Sequence, residues 1–430
     1  MKFFKRVLLF ALAFFFMLAG GFYAVAYFLK SGFEPETENY ADMGPTPLQL
    51  QQQKEAAVKV RDHAPAFKES KIVRVADNVS PIAYDVDTNA GKNVRHAGRR
   101  INIALIGVDS RLNERVKHAD ANHVISILPE SGFVEITSIP RDTKADAGFP
   151  VDSKLNTLTM ARAKRGLRGY MTEAAKIAEL DHIDYYIEVG FSQAMGILEM
   201  LGYEDPSSQL QVLRSRQALG NGDFQRSYNQ GQFVRQMLLK NFSRMTGLSG
   251  SLLVRGGLMM VETNITADVA DEIITALEKK DFGSDASVVS VRLVPAFPAK
   301  FKIYDFTKQE TFTQLKGKIE QFNKTRDPIA TDFATPIGKY DPLPEIKKAI
   351  GYGRRHIEKN PKAVISQMKT LFDQRAWLQV ADAKERQSIR EQFLELLPGA
   401  YERIQKPEDA AKIRAVISAE IEMFSKNKRM

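Results

Sequence analysis

Residues 101–111, with the sequence INIALIGVDSR, decide the fold. The mostly apolar residues up to Ile106 predict a buried strand, which Gly107 and the polar turn after it bring to an end. Two further strands are predicted at 123–128 and 133–139. In open α/β sheets, ligands contact polar residues at the ends of strands, where the loops begin. The turns after these strands are therefore the first places to look for a site.

Helices and strands alternate along the chain that follows. Apolar residues at helical spacing predict helices, and alternation of apolar and polar residues predicts strands. The predicted helices are 155–180, 192–201, 224–242 and 267–277, and the predicted strands are 183–189, 210–216 and 288–294. This alternation predicts a layered α/β/α domain over residues 101–298, built around a central mixed β-sheet.

The amino-terminal residues predict an exported, membrane-anchored protein. Three basic residues within positions 1–6 precede an uncharged apolar run at 7–29. About 20 apolar residues suffice to cross a bilayer as a helix, and positive charge before the run predicts a cytoplasmic amino end. A signal peptide cleaved after Ala26 is the alternative. The run is longer than the roughly 7–15 residues usual in such peptides, which favours a retained transmembrane helix and an extracytoplasmic body.

Residues 30–100 predict an extracytoplasmic stalk that holds the body off the membrane. Residues 34–47 are acidic and contain proline, and residues 51–71 are charged with little sustained periodicity. Such composition favours an extended linker over a packed domain. Residues 72–86 have the pattern of an edge hairpin.

After Pro298 a connecting segment, 299–340, leads to a predicted all-α extension at 341–430. Three stripes of apolar residues at helical spacing support the prediction of this extension. The stripes are Val364, Ile365, Met368, Leu371 and Phe372; Ile389, Phe393, Leu396 and Leu397; and Ile413, Val416, Ile417, Ile421 and Phe424. Pro361, Pro398 and Pro407 are expected before or between the helices, because proline breaks helices.

Composition excludes several classes of site. The chain of 430 residues contains no cysteine, so disulfides, thiol chemistry and cysteine-ligated zinc are excluded. The formal net charge of +9 would suit an anionic membrane surface or a phosphate-bearing substrate, although a solvated basic surface is the commoner cause of such a charge. No nucleic-acid-binding motif occurs in the sequence, so a nucleic-acid partner is not expected.

Arg214 and Arg216 stand two residues apart, and Asp223, Arg226 and Gln230 follow at helical spacing. On the predicted strand the first two arginines share one face. Guanidinium groups bind phosphate oxygens through paired hydrogen bonds, so the cluster predicts a phosphate site. An exposed strand face and an ordinary helix pair are the alternative interpretations.

Seven motifs follow one another between residues 100 and 295. They are Gly107-Val108-Asp109-Ser110-Arg111, Ser138-Ile139-Pro140-Arg141-Asp142, Lys154-Leu155-Asn156, Ile183-Asp184-Tyr185-Tyr186, Arg214-Ser215-Arg216, Asp223-Phe224-Gln225-Arg226 and Thr263-Asn264-Ile265. In this order, behind an amino-terminal anchor, they resemble the LytR-CpsA-Psr family of membrane-anchored cell-envelope proteins. The helical extension lies outside the resemblance.

The resemblance implies a phosphotransferase that uses Mg²⁺. Family members move a glycopolymer from a polyprenyl diphosphate carrier onto a cell-wall acceptor, typically peptidoglycan, outside the membrane. The lipid chain lies in an apolar tunnel. Two helix faces would line such a tunnel here. They are Phe191, Met195, Ile197, Leu198, Met200 and Leu201, and Phe233, Met237 and Leu238.

The resemblance also implies roles for individual residues. Asp109 and Asp120 would hold the metal, although either aspartate could instead be a turn or loop residue. The catalytic group would be Arg141, Arg214, Arg216, Asp223 and Arg226, and the substrate contacts would be Arg111, His118, Asn229 and Gln230.

Two positions depart from the family pattern. His118 and Asn229 stand where many members carry arginine, so the pocket has fewer fixed positive charges. A histidine is often neutral near physiological pH, which would make its contact weaker or pH-dependent. Two other functions are therefore kept open: a non-catalytic envelope scaffold or regulator that binds a lipid-linked glycan, and a polyprenyl diphosphate hydrolase.

Overall fold

The computed structural model describes residues 82–87, 90, 96, 98–109, 117–324 and 341–427. The predicted anchor at 7–29 and most of the predicted stalk lie outside these residues. Among the helices that are described, none combines the length and the apolar character needed to span a membrane.

The described strands form a six-stranded sheet and a small two-stranded one. They are β1 (Asp85–Asp87), β2 (Ile101–Asp109), β3 (His118–Leu128), β4 (Phe133–Ser138), β5 (Tyr185–Val189), β6 (Glu262–Thr263), β7 (Val289–Leu293) and β8 (Phe301–Ile303). The larger sheet has the order β6-β5-β2-β3-β4-β7. Its β2–β5 and β4–β7 pairs are parallel and the others antiparallel, which confirms the predicted mixed sheet.

The described α-helices surround the central sheet and continue into the extension. They are α1 (Leu158–Ile177), α2 (Phe191–Met200), α3 (Pro206–Arg214), α4 (Gly222–Met245), α5 (Gly247–Met260), α6 (Ala267–Glu278), α7 (Gln309–Lys324), α8 (Leu343–His356), α9 (Pro361–Asp373), α10 (Ala383–Arg403) and α11 (Pro407–Asn427).

Both faces of the sheet are buried. Successive side chains of a strand point to opposite sides, and the apolar ones on each side pack against helices. Ala104 and Ile106 of β2 pack in one apolar cluster with Tyr170 of α1. Ile103 of the same strand packs in a second cluster, with Phe242 of α4 and residues of α5 and α6. Helices on both faces of a mixed sheet give the predicted α/β/α layers.

The predicted strand at 210–216 is wrong. Residues Pro206–Arg214 form helix α3, whose start is capped by Asp205, because its side chain accepts a hydrogen bond from the backbone N–H of Ser208 at 3.1 Å. Proline in the first turn favours a helix start. Arg214 is therefore the last residue of a helix and Arg216 lies beyond it, so the two do not share a strand face.

The position of one proline also differs from prediction. Pro398 lies inside helix α10 instead of between helices, and it is buried. Packing of its neighbours in the core of the extension outweighs the hydrogen bond that proline cannot donate. Most of the predicted hairpin at 72–86 lies outside the described residues, and its described end enters strand β1, which pairs with the remote strand β8.

The segments after residue 298 pack on the rest of the protein. Phe312 and Leu315 of α7 lie in one apolar cluster with Leu198 of α2 and Met237 of α4. Helices α8–α11 pack around a second apolar core, to which Met260 of α5 and Met200 of α2 also contribute. The side chains proposed to line a lipid tunnel are thus divided among several apolar clusters, with Leu238 in a third.

Candidate active site

Five segments bring charged side chains to one end of the central sheet. They are the end of β2, the start of β3, the turn after β4, the end of α3 and the start of α4. Strands β2 and β4 end where the antiparallel strand β3 begins, so their loops meet at the same edge. The edge collects Asp109, Asp120, Arg141, Arg214, Arg216, Asp223 and Arg226.

Asp120 owes its position to a β-bulge. Gly107 pairs with Ala121 and Val108 with Ala119, which leaves Asp120 without a partner on β2. Such an extra residue disrupts the ladder locally and changes the direction of its side chain. Asp109 lies at the end of β2, in the position paired with His118.

Arg214 joins the two aspartates expected to bind metal. Its Nη2 lies 3.8 Å from Oδ1 of Asp109 and 3.8 Å from Oδ2 of Asp120. Its guanidinium carbon also lies 5.5 Å from the ring centroid of Phe191, the first residue of α2, within the range of a cation–π contact. The chain thus holds Arg214 between two carboxylates and an aromatic ring.

Arg141 binds the other side of Asp120, with 2.5 Å between Nη1 and Oδ1. Burial opposes ionisation of Asp120, but the guanidinium groups of Arg141, Arg226 and Arg214 outweigh it and lower the pKa of this carboxyl. Burial also opposes the charge on Arg141, and Asp120 with Asp142 outweighs it and raises the pKa of Arg141. Both partners are therefore charged at neutral pH.

Asp223 gathers a second set of groups in the first turn of α4. Its Oδ2 accepts a hydrogen bond from the backbone N–H of Arg141 at 3.2 Å, and its Oδ1 pairs with Arg226. The Nε of Arg216 lies 3.6 Å from the same oxygen. A carboxylate in the first turn is also stabilised by the helix dipole. Burial lowers the pKa of Arg226 to about 10, which leaves it cationic at neutral pH.

Several buried polar atoms at this edge lack a hydrogen-bond partner among the described residues. They include two donors, Nε of Arg226, a residue 3% exposed, and Oγ of Ser215, between the two arginines of the motif. A buried donor left without an acceptor costs about 1–3 kcal/mol. Phosphate oxygens would satisfy both donors. Ser215 was not predicted as a site residue, although its position inside Arg214-Ser215-Arg216 was a signal for it.

The four residues expected to contact substrate lie in different places. His118 lies at the edge beside Asp109. Gln230 donates from Nε2 to the carbonyl oxygen of Leu213 at 2.9 Å, so it supports the segment that leads to Arg214. Asn229 is buried and accepts a hydrogen bond from Gln225, whose side chain binds the backbone of β8. Asn229 therefore supports the α4–β8 contact and is not brought into the cluster. Arg111 lies outside the described residues.

The donor set suits Mg²⁺. Asp109 and Asp120 offer carboxylate oxygens, and Mg²⁺ usually takes one or two carboxylates and completes its shell with water and phosphate oxygens. Within the described part of the chain, no group of three or more histidine, cysteine, aspartate or glutamate side chains could hold a metal. A metal held here would depend on oxygens from the substrate.

The family comparison agrees with the motifs. Residues 57–202, about a third of the chain, match the model of the LytR_cpsA_psr family. The match begins within the predicted stalk and ends before the segment from Arg214 to Arg226, which supplies three of the four arginines. No curated protein matches the sequence.

Several solved structures are similar to part of this chain. B. subtilis TagV has 17% identity and a TM-score of 0.37, over 52% of this chain and 99% of that one. Protein gbs0355 from Streptococcus agalactiae has 16% identity and a TM-score of 0.37, over 54% and 90%. B. subtilis TagT has 15% identity and a TM-score of 0.34, over 51% and 90%. At scores this low, we infer function from the site and the family model alone.

Proposed function

Because residues 57–202 match the model of the LytR-CpsA-Psr family, we propose that the chain is a Mg²⁺-dependent phosphotransferase. It would move a glycopolymer from a polyprenyl diphosphate carrier onto a cell-wall acceptor such as peptidoglycan. The observation that carries this proposal is the convergence of Arg141, Arg214 and Arg226 with Asp109 and Asp120 on one edge of the sheet.

The reaction exchanges one phosphorus–oxygen bond for another. The acceptor hydroxyl bonds to the phosphorus next to the glycan, and the bond from that phosphorus to the bridging oxygen breaks. The hydroxyl proton is released and polyprenyl phosphate leaves. Negative charge builds on the leaving phosphate, so fixed guanidinium groups lower the barrier by positioning and electrostatics, and no covalent enzyme intermediate is needed.

The carboxylates in the cluster keep the arginines in place before substrate arrives. Asp120 holds Arg141, and Asp223 holds Arg226 and the backbone of Arg141. A guanidinium group held in this way loses less freedom when it binds phosphate. Asp223 therefore has a positioning role in the proposed reaction.

The charges of the cluster also favour a metal-dependent reaction. Four arginines face Asp109, Asp120 and Asp223, and Asp142 lies 3.5 Å from Arg141, so four positive charges meet four negative ones. The substrate adds one negative charge on each phosphate. Asp109 and Asp120 would hold Mg²⁺, which when bound would neutralise charge on the phosphate oxygens.

The proposal places the amino end in the cytoplasm, the anchor at 7–29 in the membrane and the site outside. The chain has no cysteine, so Val86→Cys would introduce a single thiol at an exposed position. In intact cells, or in spheroplasts if an outer membrane blocks the reagent, a membrane-impermeant maleimide should label it. Labelling only after lysis would overturn the proposed location.

The reaction is tested with purified full-length protein and a labelled polyprenyl diphosphate glycan. Transfer of label to a peptidoglycan acceptor is the expected result. Release of the glycan at the same rate without acceptor would identify a hydrolase. Binding with neither release nor transfer would identify a scaffold, and both of these outcomes would overturn the proposal.

A further inference from the structure

The helical unit, residues 341–427, packs closely on helix α2. A short 3-10 helix, Ala376–Gln379, meets α2 at Gly196. A Cβ atom on Gly196 would lie 2.9 Å from Cδ1 of Leu378 and 3.0 Å from Cε of Met260. Glycine at this position therefore lets the two parts approach more closely than any larger residue would.

Polar contacts hold the unit to α2 along the length of the helix. Gln379 donates from Nε2 to Oγ of Ser192 at 2.7 Å, and Arg386 donates from Nη2 to Oε1 of Glu199 at 2.7 Å. Gln193 donates from Nε2 to the carbonyl oxygen of Asp373 at 3.3 Å. Ser192 and Glu199 are separated by about two helical turns, so the contacts fix the direction of α2 as well as its position.

The 3-10 helix that meets α2 is itself held by a buried carboxylate of the helical unit. Oε1 of buried Glu420 accepts hydrogen bonds from Nε1 of Trp377 and from Nε of Arg390, both at 2.6 Å. Trp377 is fully buried and is the only tryptophan of the chain. A buried carboxylate bound by two donors restricts Trp377 to one arrangement.

The amino-terminal end of α2 reaches the candidate active site. Phe191 is the first residue of α2 and lies against Arg214, and it adjoins Ser192, which Gln379 binds. The ion pairs of Arg214 are long, at 3.8 Å to Asp109 and to Asp120. The aromatic ring is therefore an important constraint on where the guanidinium group lies.

We propose that the helical unit positions Arg214 for diphosphate binding and that it acts through α2 and Phe191. This inference rests on the proposed function, because it is stated for a diphosphate ligand. Gln379 and Arg386 are positioning residues in this account. Losing their contacts would let the end of α2 move, and Arg214 would no longer be held where it meets phosphate oxygens.

The test is calorimetric titration of the full-length protein in detergent micelles with magnesium diphosphate. Arg214→Ala should weaken binding roughly 10- to 100-fold, the range expected for a lost charge-assisted hydrogen bond. The double variant Gln379→Ala, Arg386→Ala should weaken binding about 2- to 30-fold, the range of indirect coupling between sites. Arg403→Ala is the matched control, because it lies on the same helix as Arg386 but pairs with Glu358 within the unit. It should bind as the wild type does.

The decisive comparison repeats the double variant in the Arg214→Ala background. If the unit acts through Arg214, the double substitution should cause no further loss of diphosphate affinity in the Arg214→Ala background, because the effects of coupled sites are not additive. A full additional loss would overturn the inference, and so would unchanged binding by the double variant. Trp377 emission checks that the unit remains folded, and Gln379→Ala alone replaces the double variant if the emission shifts. A wild-type protein that binds no magnesium diphosphate would overturn the proposed function and this inference together.

Discussion

The candidate active site and the buried charge cluster of the helical unit are built from the same kinds of side chain. In the unit, Arg390 and Arg375 accompany Glu420, and all three are at most 7% exposed. The rings of Phe372, Trp377 and Phe424 lie against the two guanidinium groups. At the sheet edge, by contrast, the side chains of Arg141, Arg214 and Arg216 are 21–27% exposed.

The difference between the two clusters is access. Apolar residues close the cluster of the unit, so its charged groups are bound by one another, by Trp377 and by backbone carbonyl oxygens. These contacts fix the packing of Trp377. The edge cluster opens to solvent on one side, where the side chains of Arg141, Arg214 and Arg216 are partly exposed. Arginine and carboxylate groups thus have a structural role where rings enclose them, and they can take a ligand where the sheet ends.

Glu420→Ala should give the largest effect, and it should be on stability. The substitution leaves Arg390 buried without its partner carboxylate, and breaking a buried pair in this way costs about 3–5 kcal/mol. Urea unfolding followed by Trp377 emission measures the loss. Glu358→Ala, which breaks an exposed pair with Arg403, is the control and should leave the midpoint unchanged. Equal midpoints for all three proteins would remove the structural interpretation of the unit's cluster.

Arg141→Ala and Arg214→Ala should lower glycan transfer at least about 100-fold, the effect of removing one preorganised donor from a transition state. Neither substitution should change the unfolding midpoint by much, because both side chains are partly exposed. Arg354→Ala on the exposed face of α8 is the matched control. Wild-type transfer by both site variants would exclude the edge cluster as the active site.

Asp109→Asn should raise the Mg²⁺ concentration needed for half-maximal transfer by at least roughly 10-fold, because loss of a group that only supports a metal ligand already costs about 10- to 100-fold in affinity. The amide removes a charged oxygen ligand and keeps the size of the side chain. Asp152→Asn, at an exposed loop position, should leave the Mg²⁺ dependence unchanged. An identical Mg²⁺ dependence for Asp109→Asn would argue against the metal assignment.

His123 should make stability pH-dependent, with the smallest of these effects. It is buried beside Ser138, with 3.0 Å between Nδ1 and Oγ, and burial lowers its pKa to about 4 from 6.5. The unfolded chain therefore binds the proton first, and stability falls as pH drops from 6.5 towards 4. At pH 5 the loss is about 2 kcal/mol relative to pH 7.

His123→Gln removes the titrating group, so its free energy of unfolding should fall less between pH 7 and pH 5 than that of the wild type. Urea unfolding at the two pH values measures the difference. Equal slopes would mean that His123 does not carry this pH dependence.

Much of the edge cluster could be predicted from sequence because its residues lie where predicted elements end. Asp109 follows an apolar strand and Arg226 lies near the start of a periodic helix, so both positions depend on local patterns. The strand predicted at 210–216 failed because a short apolar run does not by itself distinguish strand from helix. The Pro206 start signal, with Asp205 before it, favoured the helix.

Other features depend on contacts between remote segments. The contact of Phe191 with Arg214 requires α2 and α3 to pack together, and nothing in either segment alone indicates it. Asn229 is only one residue from Gln230, yet its side chain joins the α4–β8 contact. The β-bulge at Asp120 likewise appears only when β2 and β3 are paired.

The central claim is that the edge cluster binds a lipid diphosphate together with Mg²⁺. The most direct measurement is electron density from crystals of the protein grown with Mg²⁺ and a polyprenyl diphosphate. We predict two phosphate groups against Arg141, Arg214 and Arg226, with a metal between them and the carboxylates of Asp109 and Asp120. Diphosphate density at any other surface, with this edge empty, would contradict the account.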